Sequence, residues 1–503
     1  MKKTTKKLLA LCLTGVMAIG SLVGCGGGDT SADPTPTTKP ADSSSNTGST
    51  NTGNTGNTDN SGSADSSSDK KYDFGGVTVK CYADVFGNLD SEEPQYVEAK
   101  AYVEEKYNIK LEKATFEGAD GGNEGDILVS SIAAGTPAAH IINLNPSTMI
   151  TCYQNEILFD LTDYLDVLQV GSVYTDMGKW KGRVYGVSYE NIGDTWVLAY
   201  DRDYFKQIGM EKTPTDMFME GKWDYESCRA YLAELKTKLP DGQYPIGSYP
   251  MHWGLMASNA NGVSLLTADA KLNYTDEAVI EAVTFYNDLI AEGLAYPMSR
   301  TVHDDGTVTG DYPYQINNHK DKIAIGRAEP WELDGYANSG LNFGVCFWPW
   351  GSNVTATGDY TTISDSYHTA IGYWGIDAVV KAAVEETGIP GEVLALIAQD
   401  YRYQCFPDRA VKWHDAYVQE QAGTYENLGL NAGEERFFNT EQDIELYDWG
   451  HSRAVADFGW VFEDLINVWI PFRDIFAEGK DVRATMESYY NEGIAKLQEA
   501  GFN

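Results

Sequence analysis

Aromatic side chains are the groups in this 503-residue sequence with the clearest capacity to recognise a small molecule. The chain has 12 Trp and 32 Tyr, more than a core needs, and several of them stand beside predicted loops. Indole and phenol faces stack on the C–H faces of sugar rings, while Asp, Glu and Asn side chains bind the hydroxyls. The alternative for each ring is core packing or a half-buried surface position. Carbohydrate binding is therefore one hypothesis for the function of this chain.

Patterns for catalysis and metal binding are much weaker. The sequence has no G-x-x-x-x-G-K-[ST], no G-x-S-x-G and no H-E-x-x-H. The glycine cluster at 118–125 lacks a strand-turn-helix context, which favours a solvated loop, and His303–Gly306 with Asp311 lacks the D-x-D-x-D-G order of a Ca²⁺ loop. We expect no catalytic residue, no metal site and no cofactor. A glycosidase carboxylate pair stays open among 74 acidic residues, although nothing singles out two of them.

The amino-terminal segments are not expected to belong to the folded body. Four lysines precede an almost wholly apolar run, Leu8–Val23, so residues 1–24 are interpreted as a secretory signal. The residues Leu-Val-Gly-Cys ending at Cys25 resemble a bacterial lipobox, which implies lipidation of Cys25 and an anchor at the outer face of the cell membrane. An ordinary signal peptide with an incidental cysteine is the alternative. Residues 25–71, rich in Ser, Thr, Asn and Gly, are predicted to be a disordered tether or a cell-wall spacer.

Charge and cysteine content narrow the class of protein further. The formal net charge of −37 disfavours nucleic acid and direct adsorption to anionic lipid. Apart from Cys12 in the leader and Cys25, which is expected to be lipidated, the cysteines are odd in number and scattered without metal-ligand spacing. We therefore predict buried thiols and no disulfide framework. These are Cys81, Cys152, Cys228, Cys346 and Cys405.

The first part of the body alternates strand and helix. Val77–Tyr82 and Asn108–Phe116 have strand-like alternation, and between them Tyr96, Ala99, Val103 and Tyr107 recur at helical spacing. A second helix is predicted over Ile127–Ala134 and a buried strand over Ile141–Leu144. This order predicts an α/β lobe with a mostly parallel sheet. Polar residues follow the last strand, at the end where open α/β sheets bind ligands: Asn143, Asn145, Ser147 and Thr148.

The stretch Lys181–Tyr225 organises the rest of the chain. Two short strands, Val184–Ser188 and Trp196–Tyr200, enclose a polar loop over Glu190–Asp194, and a short helix ending at Gly209 follows. This order resembles the first crossing between lobes in family 1 of the extracellular solute-binding proteins of ABC importers. There a G-K-x-Y-G-x-P strand precedes a Y-N-K-D-x-F run. Here Arg183 replaces Lys, Ser188 replaces Pro, and 201–203 read Asp-Arg-Asp.

Further motifs extend the resemblance over nearly all of residues 72–503. They include G-K-W at 221–223, S-N-A-N-G at 258–262, the helix after Thr275 (a candidate N-cap), and E-P-W-E at 329–332. The strand at 342–350, the I-G-Y-W-G-I-D run at 371–377 and the last helix at 479–497 also match. One departure is His140, which occupies the position where the family usually has Asp. Any role that this acid has in the family is therefore not assigned to residue 140.

The resemblance implies a two-lobed periplasmic-binding-protein-like α/β fold (type II) with a ligand cleft between the lobes. Lobe 1 is expected over 72–190, completed by about 350–410, and lobe 2 over 191–349, completed by about 411–503. It further implies a monomeric, non-enzymatic receptor that closes on a small-molecule solute, most simply a carbohydrate, and delivers it to an ABC permease in the membrane. A cell-surface glycoside hydrolase and a ligand sensor for a membrane kinase remain alternatives, and peptides remain possible ligands.

The candidate ligand-binding residues follow from their places in this scheme. Trp331 matches the P-W motif, four residues flank the first crossing, and two tryptophans are expected in loops near the cleft. Trp460 and Trp469 lie in a C-terminal region that can reach the ligand. The predicted binding set is Glu190, Asn191, Asp194, Trp196, Trp253, Trp331, Trp374 and Trp469.

Overall fold

The computed structural model describes residues 71–119, 122–189, 195–303, 308–371, 375–423 and 438–502. Residues 70–301 and 309–503 form one compact unit, and 1–69 with 302–308 form another. In the second unit Val302 is described and 61% exposed. The predicted signal peptide, Cys25 and nearly all of the tether lie outside the described residues.

Short strands alternate with helices along the whole chain. In order, the strands are β1 Val77–Tyr82, β2 Ile109–Lys113, β3 Ile141–Leu144, β4 Lys179–Trp180, β5 Arg183–Val184, β6 Gly186–Val187, β7 Val197–Asp201, β8 Tyr244–Ile246, β9 Ser299–Val302, β10 Val308–Asp311, β11 Ile323–Ala328, β12 Phe343–Cys346, β13 Thr369–Ala370, β14 Ile376–Val379 and β15 Ala454–Val455.

The helices cover more of the chain than the strands do. They are α1 Pro94–Tyr107, α2 Glu124–Ala133, α3 Pro146–Gln154, α4 Leu165–Leu168, α5 Ser172–Asp176, α6 Arg202–Gln207, α7 Pro214–Met219, α8 Tyr225–Lys238, α9 Pro250–Ala260, α10 Glu277–Ala291, α11 Pro330–Asn338, α12 Lys381–Thr387, α13 Gly391–Cys405, α14 Pro407–Ala422, α15 Glu441–His451, α16 Glu463–Ile466, α17 Trp469–Phe476 and α18 Val482–Glu499.

The strands assemble into two main sheets, and each sheet is the core of one lobe. Lobe 1 has a five-stranded sheet in the order β2-β1-β3-β14-β6, with β1 parallel to β2 and β3. Helices α1 and α13 pack together beside it, and Ala99, Val103 and Tyr107 of α1 are buried as their spacing predicts. Helix α14 packs on α13 as well, which extends this lobe beyond the expected limit near residue 410.

Lobe 2 is built on a four-stranded sheet in the order β12-β7-β11-β8. Its long helices α9 and α10 pack on each other, and α17 and α18 from the C-terminal part of the chain cover them. Helix α8 begins after Asp224, whose side chain accepts a hydrogen bond from the Ser227 amide at 3.0 Å. Helix α10 is capped by Asp276 rather than by Thr275, because the Asp276 carboxylate accepts from the Ala278 amide at 3.0 Å.

Two further predictions concern the core. The five cysteines from Cys81 to Cys405 are free and buried, and burial raises the pKa of the Cys405 thiol to about 11, which keeps it protonated. The predicted strand Val184–Ser188 is divided into β5 and β6, since Tyr185 lies between a pairing with β4 and a pairing with β14.

Candidate functional site

One edge of the lobe 1 sheet collects the ends of its strands. Strand β14 runs antiparallel to β3, with Ile376 opposite Leu144, and β6 pairs antiparallel with β14. The carboxyl ends of β1, β3 and β6 and the amino end of β14 therefore lie along the same edge. Residues that follow these strands, such as Asp84 and Asn145, are placed there.

The lobe 2 sheet has a matching edge. Ala328 at the end of β11 pairs with Val197 at the start of β7. Strand β8 is parallel to β11, so the chain also leaves β8 towards Tyr249 at this edge. Trp196, Glu329 and the start of helix α9 are consequently neighbours, although they are far apart in sequence.

Two chain segments join these two edges. One runs from β6 to β7 through residues 188–196, and the other leaves β12 and enters β14. The segments meet in an antiparallel bridge between Thr195 and Ile371. The two sheet edges are thus tied together at the crossing, which makes the space between them the candidate binding cleft. Glu190, Asn191, Asp194 and Trp374 belong to the crossings, but they lie outside the described residues, so their ligand contacts stay predictions.

An aromatic cluster occupies the lobe 2 edge: Trp196, Tyr249, His252, Tyr314 and Trp460. The Trp196 ring packs edge-on against His252, with centroids 4.3 Å apart, and against Trp460 at 5.0 Å. Tyr249 and Tyr314 extend the cluster from His252, at 4.7 and 6.1 Å. Trp196 and Trp460 are buried, whereas Tyr249, His252 and Tyr314 are half-buried and carry the cluster towards the surface. Ring faces of this kind suit stacking on an apolar face of a polar solute.

Arg327 lies inside this cluster and is 3% exposed. Its guanidinium carbon is 4.3 Å from the Trp196 ring centroid and 4.7 Å from that of Tyr314, a cation–π arrangement with two rings. The guanidinium also forms ion pairs with Glu329 and, at 3.5 Å, with Glu332. These contacts fix the two rings relative to the start of helix α11.

Glu332 belongs to a capping box at the start of α11. Its carboxylate accepts a hydrogen bond from the Glu329 amide at 2.8 Å, and Gln315 donates to its other oxygen. Burial raises the pKa of Glu332 to about 7, although the positive charge of Arg327 opposes the shift. Burial and the same arginine lower the pKa of His252 well below its ordinary value, so this imidazole is neutral at pH 7.

A polar network occupies the lobe 1 edge. Arg402, which is 3% exposed, binds Asp377 through Nε and Nη2, the latter at 2.7 Å, and binds Asp84 through Nη1 at 2.7 Å. Asn143 donates to Asp377 at 2.9 Å. Burial raises the pKa of Asp377 even though Arg402 and Asn143 favour its charged form. Asp84 has a φ of 45°, a strained conformation of the kind that clusters at binding sites.

The predicted tryptophans separate into different environments. Trp196 is in the aromatic cluster, and Trp469 is half-buried at the start of α17 with Arg473 5.0 Å from its ring. Trp331 follows Glu329 in α11 at the cleft edge, but its side chain lies outside the described set. Trp253 lies in helix α9 rather than in a loop, is fully buried, and stacks on Tyr286 at 4.0 Å. Its contact with ligand stays an untested prediction, and its packing is that of a core residue.

Several site residues were not predicted from the sequence. A buried ion pair at the end of β11 had a signal, because Arg327 interrupts an otherwise apolar run just before two glutamates. The pairing of Arg402 with Asp377 had no signal in the sequence, because no residue spacing relates a helix residue to a strand residue 25 positions earlier. Within the described ranges, no cluster of three His, Cys, Asp or Glu could hold a metal ion. Asp311, which belongs to the pattern rejected above as a Ca²⁺ loop, binds Lys322 and Tyr296, each at 2.7 Å.

Across the part of the chain that the structure describes, no helix is both long and apolar enough to cross a bilayer. A sequence model of the bacterial extracellular solute-binding protein family matches residues 87–380. Among curated proteins none matches this chain.

Solved structures with the same two-lobed fold cover 84% of the chain. The sugar-binding protein MalE from Xanthomonas citri is 14% identical, with 98% of its own chain covered and a TM-score of 0.57. The cyclic alpha-maltosyl-1,6-maltose binding protein from Arthrobacter globiformis is also 14% identical, with 100% covered and a TM-score of 0.57. UgpB from Mycobacterium tuberculosis, solved with glycerophosphocholine, is 17% identical, with 99% covered and a TM-score of 0.52.

Proposed function

Since the chain belongs to the bacterial extracellular solute-binding protein family, we propose that it is a receptor for an oligosaccharide and delivers this solute to an ABC importer in the membrane. The observation that carries the proposal is the aromatic cluster around Trp196, which lies at the edge of the lobe 2 sheet where the two crossing segments meet. Stacking on the half-buried rings of the cluster, Tyr249, His252 and Tyr314, would supply affinity. The carboxylates and amides around them would select hydroxyl positions.

The sugar assignment has further support from the relatives. MalE of Xanthomonas citri and the Arthrobacter globiformis protein are described as binding a sugar and a cyclic maltosyl-maltose, respectively. Both the family and these structural neighbours are binding proteins, and we propose accordingly that this chain catalyses no reaction. The receptor would act as a monomer. Closure of its lobes about the paired crossings would then present the solute to the permease.

The cellular setting is part of the same proposal. A cleaved signal at 1–24, a lipidated Cys25 and a tether over 25–71 would hold the receptor at the outer face of the membrane. Lobe 1 would comprise 72–190 and a return segment that begins near 350, and lobe 2 would comprise 191–349 and most of the C-terminal region.

A thermal-shift screen of residues 72–503 against mono- and oligosaccharides, with short peptides beside them, tests the proposal. A ligand that binds only the native state increases the free energy of unfolding by mass action, by about 2.7 kcal/mol at a concentration 100 times its Kd. The melting midpoint therefore rises. We expect one sugar class to raise the midpoint and Trp331→Ala to remove the shift. Trp449→Ala, which removes an indole from helix α15, is the matched control and should keep it.

The outcomes separate the alternatives. A shift caused by peptides alone would refute the sugar assignment and leave the receptor in place. Release of shorter sugars from an oligosaccharide, abolished by one Asp or Glu substitution, would refute the receptor in favour of a glycoside hydrolase. Loss of the shift in the Trp449→Ala control but not in Trp331→Ala would refute the cleft assignment.

A further inference from the structure

Each edge of the cleft holds one buried arginine that is matched by two carboxylates. From this arrangement we infer that the bound solute carries no negative charge: the receptor takes neutral or amino-sugar oligosaccharides and rejects uronates and sugar phosphates. The inference rests on the proposed function, because it specifies the charge of the solute that occupies the same cleft.

At the lobe 2 edge, the positive charge of Arg327 is already engaged. Two carboxylates, Glu329 and Glu332, pair with Nη1, and the rings of Trp196 and Tyr314 lie close to the guanidinium. The side chain is only 3% exposed. Its Nε has no hydrogen-bond partner among the described residues but is buried, so an anionic group could reach it only by displacing a carboxylate or a ring. A neutral sugar ring meets only the exposed parts of the aromatic cluster.

The same arrangement holds at the lobe 1 edge. All three nitrogens of the Arg402 guanidinium donate to carboxylates, two to Asp377 and one to Asp84. Asp377 is fixed from the other side by Asn143. Asp84 follows β1 at the cleft edge and has its side chain 45% exposed, so the exposed charge of this network is that of a carboxylate.

Arg473, beside the predicted binding residue Trp469, is also paired with a carboxylate. Its Nε donates to Asp474 at 2.9 Å, and Asp474 in turn binds Lys480 at 2.6 Å. The whole chain adds a long-range field of the same sign, with 74 acidic against 37 basic residues. A solute carboxylate or phosphate therefore approaches an acidic protein and finds Arg327 and Arg402 already paired with two carboxylates each.

The expected size of the effect follows from Coulomb's law. One excess negative charge about 7 Å from a solute carboxylate, at the effective dielectric of a partly hydrated cleft, weakens binding by about three- to tenfold. Since Glu332 is about half protonated near pH 7, the excess negative charge is about one at the lobe 1 edge and about half at the lobe 2 edge. An anionic oligosaccharide should therefore bind about five- to thirtyfold more weakly than a neutral one of the same shape.

The test is a set of calorimetric titrations at low ionic strength with ligands matched in length and linkage. Neutral α- and β-linked trisaccharides are compared with their uronic-acid and amino-sugar counterparts, and neutral, acidic and basic tripeptides are added. Binding of neutral or amino-sugar ligands with at least fivefold weaker binding of the uronates is the expected result near pH 7. A uronate that binds as tightly as its neutral counterpart overturns the inference.

The peptides keep the charge inference separate from the sugar assignment. If only peptides bind, the proposed sugar function fails, and the charge inference stands when the acidic peptide is the weakest and falls when it is the strongest. If no member of the set binds, both are overturned.

Two variants test the cause of the discrimination. Glu329→Gln and Asp84→Asn each remove one compensating charge, so each should lower the ratio of acidic to neutral Kd by about three- to tenfold. Glu234→Gln is the matched control, because it removes the same charge from an exposed position of helix α8. An unchanged ratio in both cleft variants, or an equal change in the control, contradicts the assignment to these two clusters.

Discussion

Replacing Arg327 by methionine should destabilise the protein in a strongly pH-dependent way. The arginine is 3% exposed and is paired with Glu332, which is itself 4% exposed. Removing one partner of a buried ion pair typically costs about 3–5 kcal/mol, because the remaining charge has lost its compensation. Loss of the cation–π contacts that the guanidinium makes with Trp196 and Tyr314 adds about 1–2 kcal/mol to the destabilisation at any pH.

The sign of the pH dependence follows from the pKa of Glu332. Burial raises it from an ordinary 4.5 to about 7, so this residue contributes most to folding below pH 4.5 and loses that contribution as the pH rises to 7. Without Arg327 the folded pKa rises further, and the loss continues above pH 7. The difference between wild type and Arg327→Met should therefore be about 1–2 kcal/mol at pH 5, from the ring contacts alone, and about 4–7 kcal/mol at pH 8.5, where the loss of the ion pair is added.

Urea denaturation at the two pH values measures this difference directly. The double variant Arg327→Met with Glu332→Gln is the matched control, because it lacks the carboxylate that titrates and should lose most of the extra cost at pH 8.5. Equal destabilisation at both pH values, or a pH dependence that persists in the double variant, would refute the assignment of the effect to this ion pair.

Two other substitutions probe the core around the cleft. Trp253→Ala should lower the free energy of unfolding by about 3–5 kcal/mol in urea denaturation, because a fully buried indole that stacks on Tyr286 is lost. The folded variant should keep its ligand-induced thermal shift. Loss of that shift would show that the ring contributes to the binding site. Asp457→Asn should lower the melting midpoint, because the buried carboxylate accepts from Asn259 at 2.7 Å and from the Leu265 amide at 2.6 Å. Burial raises the pKa of Asp457 from 3.8 to about 6, so the wild type loses stability at this residue as the pH rises from 4 to 6. The gap to the variant should shrink over that range, and a gap that widens would contradict the direction of the shift.

Local patterns were sufficient to predict many elements of the fold. Alternation predicted β1, and helical spacing placed the buried face of α1 correctly, because both depend on residues within a few positions of one another. Where two neighbours both have capping side chains, as Thr275 and Asp276 do, the backbone geometry at the helix start decides and the sequence alone does not.

The site was less accessible to sequence reasoning because its contacts are non-local. Trp253 was expected in a loop, yet Pro250 begins a helix and Gly254 leaves room for Phe472 of α17 to pack against it. Phe472 follows more than two hundred residues later. The aromatic cluster likewise joins Trp196 to Trp460, and no local periodicity relates them.

The two ends of the described chain are held in different ways. Lys71 forms an ion pair with Glu105 of α1 in lobe 1. Phe502 follows α18, which packs on α10 and α17 of lobe 2, and its ring lies 4.6 Å from that of Trp180 in β4. A fluorescent protein fused before Lys71 would therefore be carried by lobe 1, whereas one fused after Phe502 would be attached beside a contact between the two lobes. A hinge motion that separates Phe502 from Trp180 would change the distance between the two labels. A surface linkage made through the amino terminus would leave lobe 2 as the moving part.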